Sequence, residues 1–409
     1  MSTSSNSSDS LSKTKAKTAL TQAQKEMYAA EKLMNFRWIA KVLATCSSYT
    51  LTTKDMADES LFTELAEIGQ FTELAYANVV PVSFLFRHQT SLMKPDFPLE
   101  GYNAFEGSML VSEFFGKVAH LHGYVAYRPK TKQLVVAISG TSGGVRGLPQ
   151  AVQDLRTLPH RHKSRQGLVH SGFWQLYKGI RPFVLDGLRK GFEAHGDEGI
   201  QELVVTGHSM GGAVSYLLLL DQLLVSNDIL RPNLPIKLVV FGAPRPGDSH
   251  CAEYYRELID KYRKENGGES AFTEYLVKAY NDGVPALPPL FLGYRHFTQK
   301  PLYYDHNRLY HIPSSEFEHT LFHVDADKSI QYPRGGHNYY NGRDQEALLR
   351  RLGWLEKSLA EAEAKAKAGI KTETLDRDDI TENWEHFYLE RVKKHQGFYS
   401  KVTSSSFYR

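Results

Sequence analysis

The sequence predicts an α/β protein with a central, mostly parallel sheet flanked by helices. Short β-rich apolar runs recur at residues 124–127, 134–138, 203–206, 238–241 and 275–280. Helical patterns lie between the later runs, at 173–192, 213–225 and 250–263. Such alternation is how covering helices join parallel strands. The runs at 203–206 and 238–241 are apolar on both faces, as mid-sheet strands under helices must be.

Composition narrows the function classes. The 409 residues are 41% hydrophobic, 12% aromatic and 23% charged, which is ordinary for a globular protein. A net charge of +3 argues against a dedicated nucleic-acid binder, which would carry a strongly basic domain. Two cysteines, Cys46 and Cys251, are too few for a disulfide framework or a thiolate zinc site, and fit a reducing compartment. No apolar run approaches the roughly 20 residues of a membrane helix. The longest candidate, 217–225, is interrupted by Asp221 and Gln222. The polar opening has no apolar stretch of the secretory kind. The expected location is therefore intracellular and cytoplasmic.

Taken in order, residues 1–26 are Ser, Thr, Lys and Gln with few large apolar groups, and are expected to be disordered. Leu33, Phe36, Ile39, Ala40 and Leu43 then recur at helical spacing, with Lys32, Arg37 and Lys41 elsewhere around the helix. Such a basic amphipathic helix either packs on the domain behind it or lies on a membrane or lipid-droplet surface. The runs at 124–127 and 134–138, joined by Pro129-Lys130-Thr131-Lys132, read as a β-hairpin. A domain is expected over 27–345, its part at 27–100 helical. A charged, Ala-rich helical extension follows over 346–409, with Trp384, Phe387, Tyr388 and Phe398 suggesting that part of it folds back.

The most informative residues are Gly207-His208-Ser209-Met210-Gly211-Gly212. A G-x-S-x-G match arises by chance roughly 0.1–0.2 times in a chain this long, so the setting decides. An apolar strand, 203–206, runs into it and an apolar helix leaves it, the strand–turn–helix context of a nucleophile elbow. The turn is tight, and glycines on either side remove side chains that would clash. Ser209 then projects above the sheet at the positive end of the helix dipole, where the Met210 N–H can meet an oxyanion.

A serine hydroxyl needs a base, and in this kind of fold the partners follow in the order Ser, acid, His. Asp282, after the run at 275–280, is the first choice of acid, and Asp248 is its rival. Eight histidines follow Asp282. His337, in Gly335-Gly336-His337, sits where a flexible loop can deliver an imidazole; His296 and His323 are alternatives. Spacing alone does not choose.

In these residues the chain resembles the class 3 lipases, the family of filamentous-fungal triacylglycerol lipases and their intracellular relatives. The similar segments are Val136-Ala137-Ile138-Ser139-Gly140-Thr141 with Asp154-Leu155, Val169-His170-Ser171-Gly172-Phe173, Thr206 to Ala213, Phe241-Gly242-Ala243-Pro244-Arg245-Pro246-Gly247, Asn281 to Pro289, and His337-Asn338-Tyr339-Tyr340. The resemblance spans roughly residues 70 to 345 and implies an α/β-hydrolase-type sandwich. It implies Asp282 as the acid and His337 as the base, with an oxyanion hole from Thr141 and Met210. Two departures stand out. Ala151 occupies the place of a usual Trp, and the stretch from Thr141 to Asp154, the lid region, is longer and Gly-rich.

The function implied is hydrolysis of acylglycerol-type carboxylic esters through an acyl-enzyme, with no metal or organic cofactor. Phospholipid or feruloyl-type esters, or a catalytically silent lipid- or protein-binding module, are the alternatives. Leu287, Leu290, Phe291 and Leu292 either line an acyl groove, face lipid, or form a packed Pro-rich loop. The expected partners are a lipid or other ester substrate and a lipid surface, without nucleic acid. Oligomeric state is left open.

Overall fold

The computed structural model describes residues 20–29, 35–77, 80–95, 97–140, 159–196, 199–224, 229–325, 331–348, 351–352 and 389. The chain divides into two units, residues 1–31 and 32–409. The first contains helix α1 (Gln22–Ala29). Its start is a reciprocal cap, in which Gln24 N–H donates to Thr21 Oγ1 and Thr21 N–H donates to Gln24 Oε1. Residues 22–26 are thus helical within the stretch expected to be disordered.

The second unit is built on an eight-stranded sheet. Its strands, numbered along the chain, are β1 (Met109–Phe115), β2 (His122–Arg128), β3 (Gln133–Ile138), β4 (Glu202–His208), β5 (Ile236–Phe241), β6 (Phe272–Ala279), β7 (Pro301–Asp305) and β8 (Arg308–His311). Their order across the sheet follows the chain from one edge to the other. Pairings from β3 to β7 are parallel, and those of β1 with β2, β2 with β3 and β7 with β8 are antiparallel. The expected hairpin is β2 and β3, paired from Arg128 and Gln133 outward.

Period-two alternation divides the core into two layers. On β3, Leu134, Val136 and Ile138 face one cluster, while Val135 and Ala137 face the other. The first is covered by α6 (Ser171–His195), α7 (Met210–Leu224) and α8 (Ser249–Asn266). The second is covered by α3 (Glu59–Leu74) with the short α4 (Val82–Arg87) and α5 (Gln89–Leu92). The fold is the expected α/β-hydrolase sandwich.

Of the residues read as a helical repeat, Leu33 lies outside the described residues. Helix α2 runs Arg37–Leu43 and begins after Phe36, which adopts a left-handed conformation at φ 52°. Phe36 and Ile39 are buried against Val284, with Leu43 and Leu287 packed beside them. The apolar stripe is therefore used on protein, as the first of its two readings expected. Trp38 and Val42 stay on the exposed side. Strand Cys46–Leu51 then pairs in parallel with Leu321–Val324. Both cysteines are free, Cys46 exposed and Cys251 buried.

The boundary expected at residue 346 falls inside packed chain. Leu348 and Leu352 are fully buried in the α3-side core, Leu389 packs against it, and Arg351 Nη1 donates to Pro98 O at 2.8 Å. Trp384, Phe387, Tyr388 and Phe398 lie outside the described residues. Among the described residues no helix is long and apolar enough to cross a membrane, and no His, Cys, Asp and Glu group could hold a metal ion.

One buried acid gives the fold a pH signature. Glu274 on β6 is 1% exposed, and its Oε1 accepts from Gln299 N–H at 2.9 Å. Burial pushes its carboxyl up to about 7. A folded-state value above the unfolded one means the native state holds the proton longer. The carboxyl's stabilising contribution is present below pH 4.5 and lost as pH rises through about 7. Glu274→Gln should remove this loss. Urea melts at pH 4 and pH 8 should show the variant gaining stability relative to wild type at the higher pH; a pH-independent difference would refute it.

Candidate active site

The register of the sheet aligns the carboxyl ends of β3 to β6, since Ile138 pairs with Gly207, His208 with Phe241, and Val277 with Phe241. Ligands of open α/β sheets bind at such ends. Ser209 stands there, between β4 and α7, at φ 58°, a strained value for a residue with a side chain. Its N–H donates to Phe241 O at 2.9 Å and its carbonyl accepts from Gly212 N–H at 3.0 Å. The expected reason for the flanking glycines holds. A Cβ on Gly207 would lie 2.5 Å from the Gly211 carbonyl carbon, and one on Gly211 would lie 2.2 Å from Ile138 O. Gly140, just past β3, abuts the elbow: its added Cβ would be 2.9 Å from Ser209 Cβ.

Asp282 and His337 meet beside this elbow. His337 Nδ1–H donates to Asp282 Oδ2 at 2.9 Å, with the carboxylate fully buried and the histidine 3% exposed. Asp282 Oδ2 also accepts from the Tyr340 hydroxyl, and Oδ1 from Val284 N–H at 2.8 Å. An acid held at both oxygens cannot rotate away. The bond at Nδ1 leaves the lone pair on Nε2, and Nε2 is buried with no hydrogen-bond partner among the described residues. The rings of His208 and His337 stand 4.4 Å apart, which brings the imidazole to the residue preceding Ser209.

His208 fastens His337 from the elbow side. Its Nε2–H donates to the His337 carbonyl at 2.8 Å, so its Nδ1 is the acceptor for the Tyr76 hydroxyl at 2.6 Å. Full burial, then the neighbouring His337, push the His208 pKa well below the usual range, and burial raises that of the Tyr76 phenol. Both are neutral at physiological pH, which keeps extra charge out of the site.

Residues 135–292 match the family model for lipase (class 3). Over these residues the chain is similar to the class 3 lipases. Among curated relatives it is 31% identical over 132 residues to secreted mono- and diacylglycerol lipase A of Penicillium cyclopium, covering 32% of this chain and 36% of that protein. It is 28% identical over 229 residues to secreted mono- and diacylglycerol lipase 2 of Gibberella zeae, covering 49% and 52%. The chain thus spans between about a third and a half of these relatives. Among solved structures, the Rhizomucor miehei triacylglyceride lipase superposes at TM-score 0.53 and 19% identity, over 72% of this chain and 98% of that one, which bears on the fold. Both curated relatives are named as secreted, so they lend the expected cell interior no support.

The structure gives the other candidate residues different partners. Asp248 caps α8, its Oδ1 accepting from Cys251 N–H at 2.8 Å and Leu168 N–H at 3.0 Å. Asp248→Ala should cost about 1–2 kcal/mol of stability and leave ester kcat unchanged; a kcat collapse with an intact fold would reinstate it as the acid. His296 is a fully buried histidine joined through Nε2 to Pro285 O at 3.0 Å, and His323 lies 3.9 Å from Cys46 Sγ. Met210 leads α7, at its positive end. Thr141, Ala151, Asp154 and the lid region lie outside the described residues. Leu287 packs with Phe36, Ile39 and Val284, while Phe291 and Leu292 are exposed, at 80% and 51%.

Reading the sequence missed Tyr76 and the roles of Tyr340 and His208. The two tyrosines reach the site from segments 132 and 58 residues away from their partners, and no periodicity ties them to it. The sequence suggests that the glycines before His337 make its loop flexible. Instead, Gly335 and Gly336 permit tight packing, at φ 57° and 117°, where a Cβ would meet Tyr280 O at 2.1 Å and Asn35 Oδ1 at 2.3 Å.

Proposed function

We propose that this protein hydrolyses carboxylic esters of the acylglycerol type through an acyl-enzyme on Ser209. The observation that carries the reading is the His337 imidazole, gripped at Nδ1 by Asp282 and unpaired at Nε2, beside a strained elbow serine. His337 Nε2 takes the Ser209 proton as Oγ attacks the ester carbonyl. Asp282 orients the ring and stabilises its charged form. The Met210 N–H, at the head of α7, and Thr141 donate to the oxygen that becomes negative; losing one such donor typically costs about 10²–10³ in kcat. His337 then protonates the leaving alcohol, and water releases the acyl group by the same route.

The match of residues 135–292 to the lipase (class 3) family model supports the reaction class, and the exposed Phe291 and Leu292 beyond Asp282 support an apolar substrate surface. The test is a chain-length series of p-nitrophenyl and glyceryl esters, with free alcohol and acid measured as products. Turnover of glyceryl esters with long acyl chains is expected. Turnover confined to short soluble esters would make it a general esterase, and no turnover would leave the silent binding module.

A further inference from the structure

Asn35 lies 302 positions before His337, ahead of the residues matched by the family model, yet it is 3% exposed and touches the base-bearing loop at three points. Its carbonyl accepts from His337 N–H at 3.0 Å, its Oδ1 accepts from Asn338 N–H at 3.1 Å, and its Nδ2 donates to Gly335 O at 3.2 Å. Arg37 Nη1 reaches the same Gly335 carbonyl at 3.2 Å. Phe36 stands edge-on to the His337 ring, centroids 5.4 Å apart. Where Gly336 passes Asn35 there is no room for a side chain.

The same segment also covers the acid. A Cβ on Gly283, next to Asp282, would lie 2.5 Å from Ile39 Cβ and 2.7 Å from Phe36 O. Elsewhere the backbone around His337 is held by Gly336 N–H to Tyr280 O at 2.7 Å and by His208 on the His337 carbonyl. The N–H side of the His337 peptide is therefore anchored by Asn35 and the C=O side by the elbow.

We propose that Asn35 is a positioning residue for His337, and that the segment from Asn35 to Leu43 is a clamp holding acid and base loops in one register. This rests on His337 being the base that activates Ser209. A base held by a clamp keeps Nε2 aimed at the serine, and misplacement by about 1 Å at a reacting group costs on the order of 100-fold.

The experiment measures p-nitrophenyl butyrate turnover per active site, titrated with a serine-directed phosphonate, for wild type, Asn35→Ala and Asn35→Asp, and turnover per mole of protein for Ser209→Ala. Asn35→Ala should lower kcat per titrated site by about 10–100-fold with KM within about twofold of wild type. Asn35→Asp keeps the shape and the acceptor for Asn338 N–H, and should retain more kcat than Asn35→Ala. A purely structural role would reduce the number of titratable sites and leave kcat at each one intact. Full kcat per site in Asn35→Ala, with Ser209→Ala inactive, would overturn the clamp alone. Should Asn35→Ala not fold, Asn35→Asp at wild-type kcat per site would do the same. Turnover surviving in Ser209→Ala would remove the site reading, and the clamp with it.

Discussion

Ser209→Ala is expected to lower kcat on p-nitrophenyl esters by at least about 10⁴-fold while leaving the fold intact. The hydroxyl is the atom that the elbow exists to present. Its backbone is strained, and its neighbours at Gly207 and Gly211 leave no room for side chains. Removing Oγ leaves Asp282 and His337 joined but with no nucleophile to activate. Residual activity from substrate binding and oxyanion donors alone is small. Product release over hours, with circular dichroism to check the fold, measures the effect. Loss of less than tenfold would mean that another group does the chemistry.

The second large effect is on stability. Glu73 on α3 is fully buried, and its carboxylate accepts from Arg343 Nε at 2.5 Å, Arg343 Nη2 at 3.1 Å and Tyr102 Oη–H at 2.6 Å. The Arg343 guanidinium also lies over the Tyr102 ring, 4.6 Å from its centroid. Glu73→Ala strands a desolvated cation, and breaking a buried pair on one side costs about 3–5 kcal/mol. Urea unfolding should show a midpoint shift of that size. Glu73→Leu with Arg343→Met should recover most of it, because two apolar groups have no charge to leave unpaired. A single-variant cost below about 1 kcal/mol would show that the pair is solvated. Arg343 belongs to the hairpin of Tyr339–Tyr340 and Arg343–Asp344 that directly follows His337, so the pair also ties the His337 loop to α3.

Much of the fold was legible because its determinants are local. Strands β2 to β6 announce themselves as β-rich apolar runs, and α6 to α8 as helical patterns between them. Elements that lack an apolar signature of their own were not legible. The strand Cys46–Leu51 is polar, with two of its six residues buried, and exists because Leu321–Val324 lies beside it. The packing of Leu348 and Leu352 into the α3-side core was not legible either, because the charged composition after residue 346 hides them.

By itself, the chain's order of residues determined five of the eight sheet strands, β2 to β6, the helices α6 to α8 and the elbow at Ser209, because each rests on side-chain periodicity or on glycines within a few positions of one another. Tertiary structure decided which acid meets which histidine. Asp248 and Asp282 both follow strand-like runs, but one caps a helix while the other reaches across 55 residues to His337. It also decided that Asn35 meets Asn338 across 303 residues and that Glu73 meets Arg343 across 270. Such pairings are made by packing two loops or layers against each other. Neither partner's neighbours in sequence carry any trace of the other, so only the folded chain reveals them.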